Sequence, residues 1–397
     1  MTRYVSLNIQ YHGILLIRVL KEHRHSRRTS RTMAARFVTL VLSVLVARMG
    51  WATEYVVPAV DVAGFFASLP KDATYLSFSA AAEYTSATDI VLPERQLLVI
   101  DGKGCRLKLG PGSNGFTCAI ADQKEAMRRT ASRYVIRDFA SITGGRKAID
   151  LKATLGSVVS NCRLVGQTET AIDLRFCLMA QVENVLVTNP AQRGIVLRCG
   201  DWPGANTSNS QSNHTVLHQC RVYCAATTTA AFTVLNSGGV HLTDCISEGA
   251  QSDYDLFLSA TTNGQEDHQA NNPVVKAFAL SNFHVEHFTR KGSLYINMPP
   301  KSSVDITNVY WNRKAGSPLI VYVCGQLNLS NIGWWASEFR IHTRAGTPKI
   351  NVDACHSLLV IPEKTEGTVA GSLELVDPLP GHSVLKLDFV RTTRRSF

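Results

Sequence analysis

The chain has 397 residues, 45% of them apolar, enough to bury the core of one large domain or two ordinary ones. Its formal net charge is +10, but residues 1–52 hold nine Lys/Arg against the single acid Glu22, which leaves +2 for everything after them. The basic excess therefore does not describe the body of the protein, and nucleic-acid binding is set aside as its main function.

Residues 1–52 have the pattern of an upstream extension followed by a targeting segment. Met33 to Arg36 form a short basic start, 37–47 (FVTLVLSVLVA) are an apolar run, and Gly50 and Ala52 supply small residues at a cleavage site. The expectation is a signal peptide that starts at Met33, is cleaved near Ala52, and directs a secreted or periplasmic/extracellular protein. The apolar run is too short to span a bilayer, and no other stretch is long and apolar enough. Export permits disulfides. The ten cysteines form no CxxC pair, and Cys220 and Cys224 lack a matching second pair, so a zinc site is poorly supported.

Residues 53–110 are expected to hold an N-terminal cap and the first strands. VDVAGFFASLP (60–70) has the apolar spacing of a capping helix. From 111 to 342 a short unit recurs: YVIRDFASITG (134–144), SVVSNCRLVG (157–166), AQVENVLVTN (180–189), TVLHQCRVYC (215–224), VHLTDCISEG (240–249), FALSNFHVEH (278–287), VDITNVYWNR (304–313) and LNLSNIGWWA (327–336). Each places an Asn, Asp or Gln at one position: Asp138, Asn161, Asn184, Gln219, Asp244, Asn282, Asn308 and Asn331, at spacings of 23, 23, 35, 25, 38, 26 and 23. Each unit adds a second short strand, for example AIDL (148–151 and 171–174) and GIVL (194–197). Short alternating strands at a period near 23, with no helical pattern between them, predict a solenoid whose turns stack at about 4.8 Å.

These residues resemble the right-handed parallel β-helix of the pectate-lyase-like superfamily over roughly 90–342. That resemblance implies an all-β solenoid with an internal Asn/Asp ladder, in which buried turn amides bond the coils above and below. Cys162, Cys220 and Cys245, each one place after the ladder residue, are expected to be small apolar core residues. GDWPGANTSNSQSN (200–213) and ATTNGQEDHQANNP (260–273) are expected loops that wall a groove. Residues 343–397 lose the ladder and are expected to form an irregular C-terminal cap.

Strand alternation assigns two outward sets. After the ladder, the expected outward residues are Arg163, Arg221, Tyr223, Glu248, His284, Glu286, Tyr310, Asn312 and Trp335. Glu248 and Glu286 would be carboxylates stacked about 5 Å apart, a spacing suited to cleaving a sugar chain, with aromatic side chains to bind it. On the second strand the expected outward set is Asp150, Lys152, Asp173, Arg175 and Arg198, with Asp255 and Tyr295 on later coils. The resemblance implies that such carboxylates hold Ca²⁺ and that a Lys or Arg removes a proton beside a uronate carboxylate. Asp150 and Asp173 are then the metal candidates, and Lys152, Arg175 and Arg198 the base candidates. For either set the alternative is an ordinary polar outer face.

No WxDH or RxPxxR pattern of pectate lyases is present, nor the NTD, DD, GHG and RIK set of polygalacturonases. Loop residues Asp201, Trp202, Glu266, Asp267 and His268 offer further side chains. The expected function is a secreted β-helix that binds or cleaves polysaccharide. A polysaccharide lyase or glycoside hydrolase stands beside a non-catalytic carbohydrate-binding, adhesin, exopolysaccharide-handling or phage-spike-like protein. Spike-like relatives form trimers, but no feature of this sequence demands one.

Overall fold

The computed structural model describes residues 53–259, 261–262, 265–266, 277–297, 302–311, 319–323, 326–332, 339–343, 349–353 and 359–360. The chain divides into two units, 1–54 and 55–397, and the β-strands that repeat belong to the second. The expected targeting segment lies outside the described residues.

The second unit is a parallel β-helix. Its strands form one sheet of 17 strands and another of 11, and the pairings along both stacks are parallel. Each coil has three legs. In Val158–Val165 and Gln181–Thr188 the strand bends at Asn161 and Asn184, and the register passes over those residues: Ser160 lies opposite Glu183, and Cys162 opposite Val185. The part before the bend is leg 1 and the part after it leg 2. Leg 3 is the separate sheet that includes Lys147–Leu155, Thr170–Leu178, Arg193–Arg198, Ala230–Leu235, Tyr254–Ser259 and Gly292–Asn297.

The bend explains the repeated polar residue. All eight ladder residues have left-handed backbones, with φ between 49° and 59°. Asn and Asp tolerate that conformation because their short side chains bond locally, whereas most L-residues are disfavoured there by about 1–2 kcal/mol. The side chains do link coil to coil. Asn161 Nδ2 donates to Asp138 Oδ1 (2.9 Å) and Asn184 Nδ2 to Asn161 Oδ1 (2.8 Å). A second run links Asn282 to Asp244 (2.9 Å), Asn308 to Asn282 (2.9 Å) and Asn331 to Asn308 (2.7 Å). The expected location is corrected: this ladder is on the outside. Its amides are exposed and only Asp138 and Asp244 are half-buried, because a left-handed corner turns the side chain away from the core.

The next residue turns inward instead. Phe139, Cys162, Val185, Cys220, Cys245, Phe283, Val309 and Ile332 are all buried and form one apolar stack. Leg 3 adds the row Ile149, Ile172, Ile195, Phe232, Leu256 and Leu294, each opposite the next. Burying each such side chain contributes about 1.5–3 kcal/mol. The eight described cysteines are free thiols, and Cys162, Cys220 and Cys245 pack as core residues as expected. Among the described residues no helix is long and apolar enough to cross a membrane.

Helix α1 (Val62–Ala67) is the expected N-terminal cap. Asp61 Oδ1 accepts from Gly64 N at 2.9 Å, and Phe66 is buried against Phe116 with ring centroids 5.8 Å apart. A second helix, α2 (Gln123–Arg129), was not expected; Asp122 caps it by accepting from Glu125 N at 2.8 Å. Beyond 342, Lys349–Asp353 and Leu359–Val360 still pair in parallel with the preceding coils.

Candidate functional site

Leg 3 carries the first candidate set. Alternation sends Ile149 and Leu151 inward and Asp150 and Lys152 to the other face, as expected. That face is covered, however, which corrects the expectation of a solvent-open row. Asp150 and Asp173 are each 2% exposed and Arg175 is 7% exposed. The cover is α2 together with the 200–213 loop. Trp202 is buried with Ala126, Ala153 and Phe176, and its Nε1 donates to Gln123 Oε1 at 2.8 Å. The loop thus closes over leg 3 instead of walling a groove, and Trp202 packs as part of that lid.

Under the lid the charges neutralise one another. Asp150 accepts from Thr117 Oγ1 (2.8 Å), is bonded by Arg175 Nη2, and lies 3.2 Å from Lys152 Nζ. Asp173 accepts from Lys147 Nζ (2.6 Å) and from Arg198 Nε and Nη2 (2.9 and 2.8 Å). Arg175 and Arg198 also donate to Asp201, at 2.7 and 2.9 Å. Burial pushes the Asp150 carboxyl up, but Arg175, Lys147 and Lys152 outweigh it and hold it below the usual carboxylate range. Asp173 is depressed as well: burial again opposes, and Arg198, Arg175 and Lys147 prevail. Arg198 is pushed above its ordinary value because Asp173 outweighs its desolvation, and Arg175 likewise through Asp173 and Asp150.

This chemistry does not fit the metal role of Asp150 and Asp173 or the base role of Arg175 and Arg198. An arginine raised above its already high pKa keeps its proton and cannot act as a base. The carboxylates of Asp150 and Asp173 are occupied by cations, so a Ca²⁺ there would meet ammonium and guanidinium groups at hydrogen-bond distance. Among the described residues no group of three His, Cys, Asp or Glu is placed to hold a metal ion. Lys147, which strand alternation alone did not single out, completes the cluster; its position opposite Thr170 one coil on is the register signal that could have found it.

Leg 2 carries the second set, and here Arg221 and Tyr310 are exposed, Tyr223, His284 and Glu286 are half-buried, and the Glu248 side chain is 12% exposed. The register stacks Arg163, Leu186, Arg221, Ile246, His284 and Tyr310 in one row. The next outward row runs Thr188, Tyr223 and Glu248, and Ser247 opposite Val285 puts Glu286 at the following step. Arg221 ties the rows together: its Nε lies 3.1 Å from Glu248 Oε1, and its guanidinium carbon sits 5.8 Å from the Tyr223 ring centroid. On the next coils His284 Nε2 is 3.2 Å from Glu286 Oε1, and its ring centroid is 5.0 Å from that of Tyr310. Tyr310 is 48% exposed. The two carboxylates therefore occur on adjacent coils as expected, each with its own cationic or imidazole neighbour.

The remaining candidates are dispersed. Tyr295 is buried in an aromatic cluster on leg 3, stacked on Phe257 at 5.0 Å with an interplanar angle of 12°, and is not a surface platform. Asp255, expected outward, is wholly buried. Trp335, Asn312, Asp267 and His268, and the side chain of Glu266, lie outside the described residues.

No protein-family model matches the chain, and no curated protein matches it. Among solved structures it is similar to the catalytic domain of a GH87 alpha-1,3-glucanase variant in complex with tetrasaccharides. The identity is 10% and the TM-score 0.37, over 82% of this chain and 68% of that one.

Proposed function

We propose that this protein is an exported β-helix that binds polysaccharide along the outer face of leg 2. The observation that carries the reading is the outward run of Arg221, Tyr223, Glu248, His284, Glu286 and Tyr310 on four consecutive coils, in which Arg221 and Tyr310 are exposed and Tyr223, His284 and Glu286 are half-buried. Coils repeat at about 4.8 Å, so a regular ligand meets similar groups at regular intervals. Carboxylates, imidazole and guanidinium can exchange hydrogen bonds with sugar hydroxyls, and tyrosine rings can lie against the apolar faces of sugar rings. Leg 3 offers no such run, since its charges are spent on one another beneath a lid. The parallel, three-legged coils support membership of the pectate-lyase-like superfamily, while the external position of the ladder departs from it.

A second reading, hydrolysis by Glu248 and Glu286, is favoured by one observation: the two residues occupy the same outward position on neighbouring coils, which repeat at about 4.8 Å, and paired carboxylates are what glycosidases use. One screen addresses both. The full chain is run by affinity electrophoresis through gels holding neutral and acidic polysaccharides, while new reducing ends and unsaturated products are followed separately. Retardation without product supports binding alone. Reducing ends lost in Glu248→Gln and Glu286→Gln establish the hydrolase. Unsaturated product would reject both readings in favour of a lyase, and a chain that neither binds nor cleaves any polymer would sink the proposal.

A further inference from the structure

Leg 2 ends at a corner where the solenoid interior becomes polar. Gly249, Gln251, His287 and Phe288 line a cleft of about 300 Å³ there, at the lower end of the range for ligand pockets. The cleft begins one residue beyond Glu248 on one coil and one beyond Glu286 on the next, so it continues the leg-2 face. Gly249 has φ 104°, and a Cβ on it would come within 2.7 Å of the Cys224 backbone; only glycine lets this wall lie so close to the preceding coil.

Behind the cleft is an anomaly in the repeat. Register places Ala148, Ala171, Gly194, Ala231, Asp255 and Ser293 in one buried row. Four coils fill it with Ala or Gly, and one fills it with a carboxylate. Asp255 Oδ1 accepts from Ser247 Oγ (2.7 Å) and meets His287 Nε2 at 2.5 Å, while Oδ2 accepts from Ser293 Oγ (2.6 Å). His287 is 5% exposed, and its other nitrogen, Nδ1, is buried against the Gly249 and Ala250 backbone. Burying a carboxylate and an imidazole is costly in desolvation where alanine suffices on other coils. The cost falls on a corner that opens into a cleft.

We infer that this cleft is a subsite for a single neutral sugar ring of the polysaccharide that lies along leg 2. Phe288 supplies an apolar surface for the ring, the Gln251 amide exchanges hydrogen bonds with its hydroxyls, and His287, anchored on Asp255, holds the inner wall in place. The ring is neutral because the nearby cations are already committed. Arg290 is spent on Asp253 and on the carbonyls of Ala226, Gln251 and Thr228, Lys291 pairs with Asp253, and the imidazole faces Asp255. Among the described residues lining this corner, a uronate carboxylate would find no uncommitted positive charge.

The inference rests on the leg-2 reading and is tested apart from it. Saturation-transfer NMR on the full chain would use D-glucose, D-galactose, D-mannose, N-acetyl-D-glucosamine and D-glucuronate as separate probes. At least one neutral sugar gives signal and glucuronate gives none. Phe288→Ala and Gln251→Ala each weaken that sugar at least threefold, whereas Met127→Ala, exposed on α2 over leg 3, leaves it unchanged. Silence from every neutral sugar, equal signal from glucuronate, or indifference to both cleft variants overturns the subsite. If polymer binding still depends on Arg221, Tyr223 and Tyr310 in that case, the leg-2 reading stands and the subsite alone has failed. Gln251 is exposed, so its substitution leaves the fold intact and the test readable.

Discussion

Replacing Asp173 with asparagine separates a structural leg-3 cluster from a catalytic one. Three carboxylates, Asp150, Asp173 and Asp201, face four cations, Lys147, Lys152, Arg175 and Arg198. The substitution keeps the volume but removes the charge that balances Lys147 and Arg198, the first of them buried. Removing one partner of a buried pair costs about 3–5 kcal/mol, because the other charge is left uncompensated away from water. Urea unfolding of Asp173→Asn should therefore show a loss of that size with an unchanged denaturant slope. Asp201→Asn, with a carboxylate 43% exposed, should lose no more than about 1 kcal/mol. Adding Lys147→Met to Asp173→Asn removes an orphaned cation and should recover part of the loss. The pH dependence is set by the depressed carboxyl. Its contribution is present above the unfolded value near ~3.9 and is lost as pH falls through the lower folded value. The gap between parent and variant should thus hold from pH 8 to pH 5 and close only in strong acid. A loss below about 1 kcal/mol together with a lost turnover would refute the structural reading and return Asp173 to a catalytic role.

Three further outcomes are expected. Asn308→Ala should cost about 1–2 kcal/mol, while Asn308→Gly, which accepts the left-handed backbone, should cost clearly less; equal losses would mean that the ladder bonds and not the corner set the residue type. Burial pushes the Cys105, Cys162, Cys177 and Cys224 thiols up to about 12, so iodoacetamide at pH 8 should leave them unlabelled in the native chain and label them after unfolding, as peptide mass mapping would show. His287 is desolvated, yet Asp255 raises its pKa above the ordinary histidine value. Its stabilisation is therefore complete below about pH 6.5 and lost as pH rises through the folded value, so His287→Asn should be destabilising at pH 5 and much less so at pH 9.

The coils were legible because a left-handed corner is needed at every turn, and Asp138, Asn161, Asn184 and their successors mark it by residue type. Whether those amides faced in or out was not legible, since Asn serves both a buried ladder and an exposed one. Alternation found the correct face for Asp150 and Asp173 but could not show that the face was covered. The signals for the cover were local: Asp122 and Glu125 at helix-capping spacing, and a tryptophan, Trp202, in an otherwise small and polar loop. Glu248 and Glu286 were legible because they recur at one position on successive coils. Ser247 and His287 lie at the end of leg 2 on successive coils and Asp255 at the start of leg 3, and the trio occurs once, so no repeat announces it.

The most direct test of the central claim takes the polysaccharide retained most strongly in the electrophoresis screen and titrates it calorimetrically into the chain and into an Arg221→Ala, Tyr223→Ala, Tyr310→Ala triple variant. These side chains face solvent and lie outside the apolar core, so the variant should unfold like the parent. Losing about 2–3 kcal/mol of contacts weakens binding roughly 30- to 150-fold. A loss of that order with unchanged stability is the expected result. Undiminished affinity in the triple variant would place the binding surface somewhere other than leg 2.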